Sequence, residues 1–129
     1  MTLKKWAARL GAATAVGVIS IASATPALAA SGSVLSLNQN AKSIFNDQND
    51  AVSACDRTAN NEYAVAFIDV RQADGSWLRR PSVVDTVADG TCNTEIRNVS
   101  REGAALRLWS CEITINGTLN ACRYIQLDG

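Results

Sequence analysis

The chain has 129 residues, twelve basic and twelve acidic side chains, four cysteines and no histidine. Without histidine, serine and cysteine nucleophiles lack their usual general base, and a zinc site lacks half of its usual ligand set. The balanced charge, with no excess of bases, also argues against a nucleic-acid partner.

In chain order, Lys4, Lys5 and Arg9 form a positive head, and a mainly apolar Ala/Gly/Val/Ile run covers residues 10–22. Pro26 and the small-residue site Ala27-Leu28-Ala29 follow. This pattern predicts that residues 1–29 are a secretory signal peptide cleaved after Ala29. A spanning helix needs about 20 consecutive apolar residues, and this Ala- and Gly-rich run stops short of that. The expected product is secreted and extracellular, free of the membrane, and monomeric. It forms one domain of roughly one hundred residues. All twelve acids lie beyond residue 30 against nine bases, which leaves a charge of −3.

Residues 30–40 are Ser/Asn-rich and read as a flexible N-terminal arm, although Val34, Leu35 and Leu37 could add an edge strand. Residues 41–129 read as a disulfide-stapled β domain. A short strand is expected over 41–45, a polar turn over 46–50 and a strand carrying Cys55 over 51–57. The turn concentrates hard oxygens and so resembles a calcium site. Counted from Asp47, however, the sixth position is Val52, where an EF-hand loop needs glycine, and the twelfth is Thr58. A turn built on Asx side-chain bonds is the simpler reading, and neither metal nor other cofactor is expected.

Residues 63–72 form the longest apolar run after the signal and read as the central strand. Asp74-Gly75 predicts a two-residue hairpin that sets Asp69 opposite Arg80 and Gln72 opposite Trp77. Pro81 cannot donate to a ladder, so the return strand is short, bulged or at an edge. Residues 83–87 resume it, Asp89-Gly90 turns the chain, and 91–99 carry Cys92.

The closing hairpin spans 104–127 around Asn116-Gly117, whose residues suit a two-residue type I′ turn. That register sets Leu106 opposite Leu127, Leu108 opposite Ile125, Trp109 opposite Tyr124, Ile113 opposite Asn120 and Thr114 opposite Leu119. It also sets Cys111 opposite Cys122, at a hydrogen-bonded position with Cα atoms about 5.5 Å apart. The expected disulfides are therefore Cys111–Cys122 and, by remainder, Cys55–Cys92. About seven short strands with regular turns predict an all-β fold, a small antiparallel β-sandwich or partly closed barrel.

Chemistry could come from paired carboxylates, with Asp69, Asp85, Glu95 and Glu112 as candidates for glycosidic hydrolysis. Surface acids are the simpler reading, and no enzyme is expected. The candidate binding surface is Trp109 and Tyr124, flanked by Arg107 and the disulfide, with Trp77 secondary. Such rings suit sugar stacking or a protein partner. The commoner use of such rings is burial, and covering the cystine as a second small core is the simpler reading. After residue 30 arginine outnumbers lysine eight to one, which favours planar and stacked contacts.

Val-Ser-Ala-Cys-Asp at 52–56, Asp-Gly-Ser-Trp at 74–77 and the C-x10-C spacing at Cys111 and Cys122 follow the signal. With them the chain resembles small exported actinobacterial two-disulfide all-β proteins of unknown function. The resemblance implies export and a β domain and supplies no catalytic residue. The expected function is a non-catalytic binding or interaction module meeting a protein or a cell-surface polysaccharide. The alternative is an inhibitor or toxin-like effector displaying the 74–81 loop, with a small carboxylate hydrolase third.

Overall fold

A computed structural model describes residues 31–99 and 103–128; the expected signal peptide, Ser100, Arg101 and Glu102 lie outside them. The described residues form nine strands and no helix: β1 (Gly32–Leu35), β2 (Ala41–Asn46), β3 (Ala51–Asp56), β4 (Glu62–Arg71), β5 (Trp77–Arg79), β6 (Val83–Asp85), β7 (Asn93–Ile96), β8 (Leu106–Thr114) and β9 (Leu119–Leu127). One antiparallel sheet has the order β1-β2-β3-β7. The other has the order β5-β4-β8-β9, with β6 also paired to β4.

The sheets meet through alternate side chains, as period-two strands require. Val34, Phe45 and Val52 from the first sheet pack with Ile68, Val70, Leu106 and Leu108 from the second. Leu106, Leu108 and Leu127 thus line the core. Within the stretch expected as an N-terminal arm, residues 32–35 form the edge strand that its apolar residues allowed. They pair with β2 from Gly32↔Phe45 to Leu35↔Lys42, and Val34 is buried. Gly32 sits close to β9 at this edge: a Cβ there would lie 2.9 Å from a Leu127 methyl group, which would have to move aside.

The closing hairpin departs from the expected register near its turn. Thr114 N donates to Thr118 O at 3.0 Å, and Gly117 adopts φ +89°. The loop therefore holds three residues, 115–117, with glycine in the left-handed position of a bulged turn, where the two-residue reading put a type I′ pair. Ile113 consequently faces Leu119, Glu112 faces Asn120, and Thr114 pairs with Thr118. Ala121, at φ +53°, is an extra residue on β9, and past it the expected register returns, with Trp109↔Tyr124 and Leu106↔Leu127. The longer turn and the later bulge cancel in register, so the cysteines still meet. The Cys111–Cys122 bond forms with Cα atoms 4.1 Å apart, closer than the hydrogen-bonded pair expected. Cys55–Cys92 is the second disulfide, and it ties β3 to the residue just before β7 as Cys111–Cys122 ties β8 to β9.

The same correction applies to the hairpin at Asp74-Gly75. Gln72 N donates to Ser76 O at 2.7 Å and Gly75 has φ +89°, so this loop too holds three residues. Asp69 faces Arg79, not Arg80, and Trp77 faces Arg71, not Gln72. The chain slips by one residue at Arg80-Pro81, after which β6 pairs Ala64↔Asp85 and Ala66↔Val83. At 46–50 the Asx turn is present. Asn46 Oδ1 accepts from Gln48 N at 3.0 Å and Asn49 Oδ1 from Ala51 N at 3.2 Å.

Candidate contact face on the second sheet

Strand β4 pairs with β8 along nine rungs, from Glu62↔Thr114 to Val70↔Leu106, and this long-range register builds the outer face of the second sheet. Even-numbered β4 residues such as Ile68 enter the core. Odd-numbered ones point outward: Val65, Phe67, Asp69 and Arg71. Cross-strand neighbours extend each of them into a row. Arg71 meets Trp77. Asp69 meets Arg79 on one side and Arg107 on the other, with Gln126 beyond. Phe67 meets Trp109, with Tyr124 beyond. Val65 meets Val84 and Cys111.

A charged row thus lies between two aromatic rows, and its guanidinium groups reach over both. Arg107 stands 4.0 Å from the Trp77 ring centre and 5.0 Å from that of Tyr124. Arg79 lies 4.1 Å from the Phe67 centre and 5.5 Å from that of Trp109, and Arg71 lies 5.2 Å from Trp77. The rings themselves are in contact, with centres 5.7 Å apart for Phe67–Trp109 and 4.6 Å for Trp109–Tyr124.

Asp69 anchors the ladder. Its carboxylate is buried, accepts Arg79 Nε and Nη2 at 2.8 and 3.0 Å, and accepts Trp109 Nε1 at 2.9 Å. The hydrogen bond to Asp69 is the main cause holding the Arg79 guanidinium above its ordinary pKa.

The candidates named from sequence are therefore brought together, in graded exposure. Trp109 is half-buried and packs with Val65, Phe67 and the Cys111–Cys122 bond in a small second apolar cluster. Tyr124 is 42% exposed, and Trp77 and Arg107 are half-buried. One ring thus covers the cystine while its neighbour meets solvent. Phe67, Asp69 and Arg79 complete the face; none is named from sequence as part of a binding surface, and Asp69 is named there only as a candidate hydrolytic carboxylate. Their alternation along residues 63–72 was visible, but the partner strand that gives it meaning is 40 residues away in sequence.

The other carboxylates are not the surface acids expected, with the exception of Glu95. Glu112 is buried facing the first sheet, and accepts from Asn60 Nδ2 at 2.9 Å and from Asn38 Nδ2. Asp85 is buried and accepts the backbone N–H of Asp56 at 2.8 Å. Burial, then the nearby charges of Asp85 and Glu112, push the Asp56 carboxyl above its usual pKa, against the lowering effect of a bond from Thr58 N. Among the described residues no group of three His, Cys, Asp or Glu side chains is placed to hold a metal ion. Compared with protein-family models, curated proteins and solved structures, the chain finds no match.

Proposed function

We propose that the protein is an exported bacterial binding module, a disulfide-stapled β-sandwich that acts by contact and not by catalysis. Its contact surface is the outer face of the second sheet. The observation that carries this reading is the half-open ladder, in which Tyr124 stays 42% exposed while its ring packs at a tilt against the half-buried Trp109. Exposed rings fixed by cation–π contacts offer a rigid apolar platform at small entropic cost, and the neighbouring arginines supply donors for oxygen-rich ligands. Sugars of a cell-surface polysaccharide and the side chains of a protein partner both suit that chemistry. Two disulfides accord with an oxidising compartment, as export would provide.

The test is tryptophan emission of the mature protein titrated with cell-wall polysaccharide and, separately, with exported proteins, alongside Tyr124→Ala. A saturable shift with one ligand class, lost in the variant, supports the reading; an unchanged spectrum with every ligand counts against it. A second reading draws on Leu78, which is 45% exposed on β5 just past the rigid Asp74–Ser76 turn. An inhibitor would display that segment, and inhibition of a protease lost on Leu78→Asp would favour it.

A further inference from the structure

Where the edge strands β1 and β9 approach each other lies a cleft of about 400 Å3, whose lining includes Ser33, Leu35, Lys42, Arg57, Arg123 and Ile125. Its three cations come from both sheets. Lys42 alternates with the buried Ala41 and Ser43, so it leaves the outer face of β2, where its strand partners are Leu35 and Cys55. Arg57 continues that face: its backbone N–H donates to Asn40 O at 2.9 Å, and its Nη1 donates to Gln39 O at 2.9 Å. The carbonyl of Gln39, a residue at φ +65° in the β1–β2 turn, thus fixes this guanidinium. Arg123 alternates with Tyr124 and leaves β9 on the side that meets the first sheet, next but one to Ile125. Leu37 N donates to Ala121 O at 2.8 Å and pins the seam two residues from Arg123.

No acid lines the cleft, and none of its three cations has an ion pair among the described residues. Elsewhere Arg79 pairs with Asp69 and Arg97 with Glu95, while Arg71 and Arg107 lie over Trp77. Acids outnumber bases twelve to nine beyond residue 30, so the cluster does not follow from general basicity. Like charges brought together repel, and a bound anion relieves that repulsion.

We propose that this cleft binds a sugar phosphate monoester, its phosphate held among Lys42, Arg57 and Arg123 and its ring over Leu35 and Ile125. A dianion answers three cations better than a carboxylate does, and guanidinium forks with an ammonium suit phosphate oxygens. The half-buried Leu35 and Ile125 suit the carbon face of a ring, and the exposed Ser33 hydroxyl offers a donor and an acceptor to ring hydroxyls. No aromatic ring lines the cleft on which a nucleotide base could stack. The cleft shares no residue with the aromatic ladder, so it stands whether or not the ladder is a contact surface.

The experiment titrates the mature protein with glucose 6-phosphate, glucuronate and glucose and follows the backbone amide NMR signals. Saturable shifts with glucose 6-phosphate are expected at Leu35, Lys42, Arg57 and Arg123, with Trp77 and Tyr124 unmoved. Glucuronate should bind at least about threefold more weakly, and glucose at least about tenfold, as loss of charge-assisted hydrogen bonds implies. Raising the salt from about 0.05 to 0.5 M should weaken the binding, because these charges are open to screening. Lys42→Gln and Arg123→Gln should each weaken it about threefold or more. Without ligand, Arg123→Gln should not lower Tm, since the charge it removes is uncompensated. Phosphorylated dextran separates the two sources of such a ligand: equal affinity per phosphate identifies a polymer-borne group, and no binding identifies the free sugar phosphate. Glucose or glucuronate binding as tightly as glucose 6-phosphate, shifts centred on Trp77 and Tyr124, no saturation in the low-millimolar range, insensitivity to salt, normal binding by both variants, or a lower ligand-free Tm for Arg123→Gln would each overturn the proposal.

Discussion

Trp109 donates its indole hydrogen to Asp69 at 2.9 Å, and Arg79 clasps the same carboxylate through two nitrogens. One buried acid therefore orients an aromatic ring and a guanidinium from two different strands. Asp69→Asn keeps the size but replaces an acceptor oxygen with an amide that opposes both donors. Most of the Arg79 side chain is in solvent, so screening limits its share. A loss of about 1–2 kcal/mol in urea unfolding is expected, with a changed Trp109 emission in the folded state. An unchanged midpoint and spectrum would mean the ladder is not organised by Asp69.

Ala121 carries the extra residue that realigns β9, at φ +53°. A left-handed conformation costs an L-residue on the order of 1 kcal/mol, partly offset here because glycine has more freedom to lose on folding. Ala121→Gly should therefore stabilise slightly, by roughly 0.5 kcal/mol, and Ala121→Val should destabilise by more than that, since branching at Cβ makes the conformation harder to reach. Thermal melts of both variants with the disulfides intact provide the measurement. A less stable glycine variant would contradict the assigned bulge.

The closing hairpin also marks how far the sequence could be read. Asn-Gly and Asp-Gly both announce a turn with glycine at positive φ, and both turns are present. The dipeptides do not say whether two or three residues close the loop. That choice depends on how the flanking strands pack, and each time the chain took three. Near Asn116-Gly117 the bulge at Ala121 compensates, so the cysteines pair as expected while Ile113 and Thr114 each face a residue one position earlier on β9 or its turn. Near Asp74-Gly75 nothing compensates before Arg80-Pro81, and the acid pairs with Arg79 instead. The alternation that turns Phe67 and Asp69 outward is written in residues 63–72, but their meeting with Trp109 and Arg107 is a long-range pairing with no local signal. For the strand at residues 32–35, the apolar Val34 and Leu35 carried the edge-strand signal against a Ser/Asn-rich composition that favoured an arm.

Acid and neutral pH should separate two groups of carboxylates. Asp56 binds its proton more tightly when folded, chiefly through burial, so its ionisation lowers stability as pH rises through and above the usual carboxylate range. Asp56→Asn should raise Tm at neutral pH and give no gain in strong acid. Asp74 and Asp89 behave oppositely. Side-chain hydrogen bonds from Ser76 and Thr91 lower their pKa values, so their contribution is present above the usual carboxylate value and is lost as pH falls. Ser76→Ala and Thr91→Ala should lower Tm at neutral pH, with the difference closing in acid. Calorimetry across the range decides both signs, and a neutral-pH loss for Asp56→Asn would contradict the buried-acid assignment.

The role of the outer face is tested most directly by oxidative footprinting of the exported protein with and without intact cell envelope, read residue by residue by mass spectrometry. Trp77 and Tyr124 should be protected when envelope is present, while Leu37 and Ile115, which are 67% and 80% exposed and lie off the ladder, should stay reactive. Protection at Leu37 or Ile115 with Trp77 and Tyr124 unchanged would contradict a contact surface on the second sheet.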